Sequence, residues 1–563
     1  MPKWMNQPGE SSRNFAAWLL ALFLAAFGAQ LWVVWLYGSP LPIWDQWYEA
    51  GSLFSPWMAG HLTFGDLFAA DSNHRIVLTR LLDLCLIRLN GRWDPLLQMT
   101  VNAFFHAAFA CGLAFCLWHF LGRKRGWLVC FLLMPFFIMP YAGENAIWGI
   151  NSMWYFANIF ALATVVGLGF GRVGGWQWWF GLAAAVMGLL TMASGLLAPM
   201  TAGGLILLRA IKNRRMEKEK IIGLGACLLL AGLGAPFIAT PEYNRPLLAH
   251  SFAEFTSALA HNLSWPFFNA PDMACVIALP LALLLVFYLR PNFQASRAAE
   301  FILALALWSV LQSVAVAYGR ANYVEAVPAS RYMDLFSVLG IASLFATVLL
   351  GQIWERGRVP GFNGTWLPLI FAGVMFFGLC RISQTVVEDV LVVTREWNLI
   401  AEERVQTFMA TGKEQDLFEQ PTVQPDPKVT LGVLRDPNLQ AILPAACFPP
   451  ASSSAPGRFT PASQWLLRHS IMILSCGLIL FAGLCGLGLA RGNTGLADGN
   501  PARILALLAC LAPLGFVWSQ RSLHRKSVER DLQQQLAAYF KSVNKPDRAA
   551  IHQHKADELK SAE

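Results

Sequence analysis

Long apolar runs, separated by short polar or charged breaks, fill most of this chain. The first, at residues 15–37, exceeds the ~20 residues a helix needs to cross a bilayer. Comparable runs fall at 96–121, 127–140, 154–170, 178–192, 197–208, 221–239, a stretch ending near Arg290, 301–317, a stretch directly behind Asp334, 366–379, 471–489 and 504–518. The pattern predicts an all-α, polytopic transmembrane helical bundle of about 11–13 spans. The first run is too long for a signal-peptide core and lacks a cleavage site, so it is expected to stay as a span.

Three breaks are long enough to fold, the shortest being 241–272 with the amphipathic run 252–263. Residues 39–95 open with Trp44-Asp45-Gln46-Trp47, pass through Asp71-Ser72-Asn73-His74-Arg75 and close at Arg92-Trp93-Asp94-Pro95. Between them Ile76, Val77, Leu81, Leu84 and Cys85 share one helical face, and Arg75, Thr79 and Asp83 another. That spacing predicts an amphipathic helix lying along the membrane surface. Residues 381–468 carry charges alternating in sign to about Glu419 and then turn rich in Pro, Ser and Ala. They are expected to form a small appendage, helical first and irregular afterwards. The chain thus divides into a membrane module (1–380), the appendage (381–468), two terminal spans (469–518) and a charged tail (519–563).

Basic clusters orient these pieces. Lys3 and Arg13 precede the first run, and Arg123-Lys124-Arg125 follow the second. Positive residues stay cytoplasmic, so both ends of the 39–95 loop place it outside. Arg209 to Lys220 mark another cytoplasmic turn. The tail is contested: counting spans puts it outside, whereas Arg521, Arg525, Lys526 and Arg530 argue for inside.

Composition agrees with a membrane protein: 56% of the 563 residues are hydrophobic and 13% charged, with mean hydropathy +0.47. A soluble domain carries about 25% charged residues. The net charge of +8 is clustered at the turns, so it reports topology and not a nucleic-acid partner. The 11 cysteines show neither a CxxC pair nor ligand spacing. Nucleotide-binding and zinc-protease motifs are absent from the sequence. No cofactor and no metal ligand set is expected.

With this orientation the unusual polar groups share the outer side: Asp45, Glu49, His74, Arg75, Glu144, Asn145, Arg245, Arg320, Arg331, Tyr332 and Asp334. A carrier places its ionisable groups at mid-membrane in broken helices, so this asymmetry favours a surface enzyme. Sugar transfer from a lipid phosphate needs a carboxylate to take the acceptor's proton and a cation for the departing phosphate. Asp45 can supply the first and Arg331 or Arg75 the second, with Trp44 and Trp47 forming part of a lipid-facing groove. Simpler roles stand beside these: an interfacial tryptophan belt, a helix anchor for His74 and Arg75, and a turn cap for Glu144 and Asn145.

The Trp44-Asp45-Gln46-Trp47 placement after the first span, with the loop order, resembles the GT-C class of integral-membrane glycosyltransferases over about residues 15–379. Asn73-His74-Arg75-Ile76, Glu144-Asn145-Ala146-Ile147-Trp148-Gly149 and Ser330-Arg331-Tyr332 also resemble a bacterial group of membrane proteins of this layout. The resemblance implies a bacterial inner-membrane enzyme with a polyprenyl-phosphate sugar donor, a lipid or glycan acceptor and a periplasmic active site. Asp45 would be its general base, with His74, Arg75, Glu144, Asn145, Arg320, Arg331, Tyr332, Trp44 and Trp47 binding substrate. Metal-binding members carry paired acids, whereas here Gln46 follows Asp45 and only Glu49 lies one turn on. The competing readings are a carrier or flippase for an amphiphilic solute and a non-catalytic membrane subunit.

Overall fold

The computed structural model describes residues 12–123, 126–291, 296–321, 328–357, 366–418, 426–449, 455–490 and parts of 530–561. The run at 504–518 lies outside the described residues. So do Lys3 and the basic residues of 521–526. Among the described residues the regular structure is helical, with no strand and one isolated bridge between Asp71 and His74. Nine of these helices are long and apolar enough to cross a membrane. The expected runs at 127–140 and 178–192 correspond to shorter helices, Gly126–Ile138 of 13 residues and Trp176–Leu189 of 14. At 1.5 Å per residue each covers about 20 Å, less than the ~30 Å of a hydrocarbon core.

The helix Ser330–Trp354 is the axis of the bundle, with 94% of its apolar window buried, against 22% for the peripheral Lys218–Phe237. Small residues set the tightest crossings. A Cβ on Gly28 would collide with the Leu474 backbone, and one on Gly477 with that of Ala25. The late helix Ser470–Ala490 therefore packs directly on the first, Ser12–Tyr37. Lipid provides no hydrophobic drive for this association, so close backbone packing takes its place.

The appendage is not a separate body. Helix Trp366–Val386 continues through a π-helical turn, Val387–Val392, into Val393–Thr411, so the expected boundary at 380 falls inside a continuous rod. Val405 and Phe408 at its far end share a core with Leu41, Trp47, Phe54 and Trp93 of the first loop. Val433, Leu434, Ile442 and Leu443 complete that core. Trp93 N donates to the Ile442 carbonyl at 2.9 Å, and Phe459 N to Asn90 Oδ1 at 2.7 Å. The apolar segments here are too short to show a period, which is why the sequence reads as irregular.

The C-terminal helix Pro546–Ser561 meets this domain, with His552 Nε2 3.0 Å from Glu403 Oε1. Helix Pro546–Ser561 thus contacts the segment Val393–Thr411, whose far end shares a core with the first loop.

The predicted amphipathic helix exists as Val77–Asn90, stopped by Gly91 in the left-handed region at φ 76°. Its buried residues come from both faces, Val77, Leu84 and Ile87 with Thr79, Arg80 and Asp83, whereas Leu81, Cys85 and Leu89 are exposed. Asp94 then caps the next span, accepting from Leu96 N at 3.0 Å and Leu97 N at 3.2 Å, with Pro95 at the first helical position.

Candidate functional site

The first loop re-enters the bundle mouth at Trp44, whose φ of 47° and ψ of −115° are strained for a residue with a side chain. A buried chain of amides holds this turn. Gln46 Oε1 accepts from Ile43 N at 3.2 Å, and its Nε2 donates to Gln98 Oε1 at 3.0 Å. Gln98 also accepts from Trp93 Nε1 at 3.2 Å and donates to Asp83 Oδ1 at 2.5 Å. Burial holds the Asp83 carboxyl well above the usual range, an effect the Gln98 hydrogen bond opposes.

Asp45 heads the short helix that follows, and its carboxylate accepts no hydrogen bond from the described residues. Burial raises its pKa, and the Arg331 guanidinium opposes that rise. The cation whose charge acts on Asp45 is thus Arg331. Trp44 stacks on Trp148 at 6.4 Å, and the Arg331 guanidinium lies 5.7 Å from the same Trp148 ring and 5.3 Å from that of Tyr332.

Glu144 fixes Arg331. Its Oε1 lies 2.9 Å from Nη1, and its Oε2 accepts from the Arg331 backbone N at 3.0 Å and from Ser330 Oγ at 3.1 Å. Asn145 Nδ2 donates to the Arg331 carbonyl at 3.0 Å and to Asp334 Oδ2 at 2.8 Å. Glu144 and Asn145 therefore do more than cap their own turn; they pin the start of the axial helix from 186 residues away in sequence.

His74 lies beside this pair. Its ring meets Trp154 edge-on at 6.3 Å, and Trp154 meets Tyr332 at 5.3 Å. Burial and the nearby Arg320 and Arg331 guanidiniums lower its pKa to about 4, so the imidazole is neutral at physiological pH. Arg320 Nη2 donates to Asn73 Oδ1 at 2.8 Å, which also accepts from Asn244 Nδ2 at 2.8 Å.

Three expected residues take other roles. Trp47, expected at a lipid or substrate surface, is 1% exposed in the loop-domain core against Trp93. Arg75 donates to the Phe68 carbonyl within its own loop. Glu49, the candidate second acid, is consumed by Arg80, whose Nη2 lies 2.7 Å from its Oε1. Arg245 stays at the surface with Glu242. His106 is a core residue bonded to the Phe137 carbonyl at 3.0 Å.

One group escaped the sequence reading. Asp71 has its pKa raised to about 7 by burial and by the neighbouring Asp45 and Glu49 charges, against the pull of Arg80. Its backbone pairs with that of His74 at 2.8 Å in both directions, folding 71–74 into a tight turn. Its place in the same polar stretch as His74 was the available signal. Among the described residues no group of three or more His, Cys, Asp or Glu side chains is placed to hold a metal ion.

The opposite end is less plain than its basic residues suggest. Arg209, expected only as an orientation signal, pairs with Glu300 at 2.7 Å, and Tyr288 donates to the same carboxylate at 2.9 Å.

No protein-family model and no curated protein matches the chain.

Proposed function

We propose that this membrane protein is a glycosyltransferase that moves a sugar from a polyprenyl-phosphate donor to a lipid or glycan acceptor. The supporting observation is Asp45: a carboxylate on a strained turn, with no hydrogen bond among the described residues, which feels the charge of a guanidinium that Glu144 holds in place. Asp45 takes the proton of an acceptor hydroxyl as the acceptor oxygen bonds to the anomeric carbon. The bond from that carbon to phosphate oxygen breaks, the phosphate leaves with the electron pair, and Arg331 stabilises its charge. A carboxyl raised towards neutrality is the stronger base for this step. Trp44 and Trp148 offer aromatic faces to the sugar, and Tyr332 and Asn145 keep Arg331 in register. This reading takes the mouth to face the periplasm of a bacterial inner membrane, in line with the positive-inside rule.

The test is Asp45→Asn, assayed as labelled sugar transferred from a polyprenyl-phosphate donor per inserted protein. Asn preserves size and cannot accept the proton, so the rate should fall about 10²–10⁴-fold with insertion unchanged. Transfer at the wild-type rate ends the general-base assignment.

A further inference from the structure

We infer that the protein carries a binding surface for the headgroups of anionic phospholipids, formed by Arg88, Arg458 and Arg468 where helix Thr460–Arg468 leads into the span Ser470–Ala490. It is separate from the mouth and independent of the proposed transfer reaction. Direct contacts join the two segments that build it. Arg458 N donates to the Asn90 carbonyl at 2.8 Å, and Phe459 N to Asn90 Oδ1 at 2.7 Å. A Cβ on Gly457 would collide with the Asn90 amide, so the chain closes directly on the end of helix Val77–Asn90. Arg88 and Leu89 are exposed in the last turn of that helix, and Arg458 and Phe459 are exposed where the chain crosses it. The Arg458 guanidinium lies 5.8 Å from the Phe459 ring. The adjoining carboxylate, Asp94, is spent on Leu96 N, Leu97 N and the Thr460 hydroxyl at 2.6 Å. Among the described residues the guanidiniums of Arg88, Arg458 and Arg468 meet no carboxylate and no carbonyl.

Helix Thr460–Arg468 shows what meets them. Ser463 and Leu467 turn inwards: Ser463 Oγ lies 2.9 Å from Thr100 Oγ1, and Leu467 shares a core with Leu31, Val34, Met99 and Ala103. Pro461, Gln464, Trp465 and Arg468 form the exposed face, with Trp465 52% exposed. The inward contacts fix the depth. Spans Ser12–Tyr37 and Pro95–Phe120 reach this end of the bundle at Tyr37 and Pro95, and the residues around Leu467 lie one to two turns further in. That is about 5–11 Å along the spans. A tryptophan and an arginine exposed there stand at the boundary of headgroups and acyl chains, where Trp collects and Arg extends to lipid phosphate. A guanidinium left among acyl chains is costly. A phosphodiester supplies its counter-charge and accepts from its planar fork. Net negative lipid is favoured over zwitterionic lipid because the three guanidiniums lack a protein counter-charge. Topology does not account for them, since the basic cluster from Arg209 to Lys220 marks the other end.

The experiment measures lipid binding to the full-length protein in detergent by native mass spectrometry, with dioleoylphosphatidylglycerol, dioleoylphosphatidylcholine and glycerol 3-phosphate as probes. Phosphatidylglycerol should bind at least about 10-fold tighter than phosphatidylcholine. Each of Arg88→Gln, Arg458→Gln and Arg468→Gln should weaken phosphatidylglycerol about fivefold and leave phosphatidylcholine unchanged. Their melting temperatures in phosphatidylcholine nanodiscs should match the wild type, because these guanidiniums hold no ion pair in the fold. Arg468→Lys should keep more of the preference than Arg468→Gln, since it keeps the charge. Equal wild-type affinity for the two lipids overturns the inference. A preference that survives Arg458→Gln combined with Arg468→Gln, and is lost in Arg215→Gln combined with Lys218→Gln, also overturns it and assigns the lipid to the basic turn at the other end. Glycerol 3-phosphate displacing phosphatidylglycerol at equal concentration overturns the lipid assignment in favour of a soluble phosphate.

Discussion

Two carboxylate–guanidinium pairs in this protein share one chemistry and have opposite environments. Glu49 and Arg80 lie under the first-loop domain, 6% and 4% exposed, and the guanidinium is saturated. Nε and Nη2 both go to Glu49, and Nη1 goes to the carbonyls of Asp66, Leu67 and Ala69. Glu144 and Arg331 lie at the bundle mouth, 11% and 21% exposed, joined through one Nη1 contact at 2.9 Å. There the guanidinium lies beside aromatic faces and across from Asp45. Burial and surroundings, and not separation, distinguish them: the first pair is enclosed by its own loop, and the second is less buried and lies beside the Trp148 and Tyr332 rings.

The sharpest way to break the comparison is Arg80→Ala. It leaves Glu49 charged and buried without a partner, which costs about 3–5 kcal/mol. Folded protein should be largely lost, as read by size exclusion and thermal unfolding, and Glu49→Leu combined with Arg80→Met should recover most of it. Normal stability of Arg80→Ala would remove the structural role given to this pair.

Glu144→Gln comes next. Gln can still accept from Ser330 Oγ and Arg331 N, so stability should fall by only about 1 kcal/mol. The guanidinium nevertheless loses the charge that aims it, and transfer should fall about 10–100-fold from misplacement. A variant that loses stability and keeps its per-molecule rate would make this pair structural, like the first.

Asp71 tests the first-loop side of the comparison through pH. A folded-state pKa near 7 against an unfolded value near 3.8 means the native protein holds an extra proton between those pH values. This contribution to stability is present at low pH and is lost as pH rises from about 4 through about 7. The melting temperature should therefore decline over that window, and Asp71→Asn should flatten the decline. The groups facing Asp71 are Asp45, Glu49 and Arg80, so an unchanged slope in Asp71→Asn would assign the dependence elsewhere.

Hydrophobic run length by itself determined the helical membrane character, and the polar stretches already held Asp45, His74, Glu144 and Arg331. Such signals are local: a run of apolar residues needs no partner to declare that it will be buried in protein or lipid. What only the tertiary structure decided is which partners each charge meets. Glu49 and Glu144 look alike in sequence, and so do Trp44 and Trp47. Their fates depend on Arg80, on Ser330 and Arg331, and on Val405 and Phe408, which arrive from distant segments. Continuous folding of residues 393–411 onto the first loop, and the burial of Thr79, Arg80 and Asp83 on Val77–Asn90, were likewise set by such encounters. An amphipathic pattern states that a helix has two faces, and only its neighbours say which of them meets lipid.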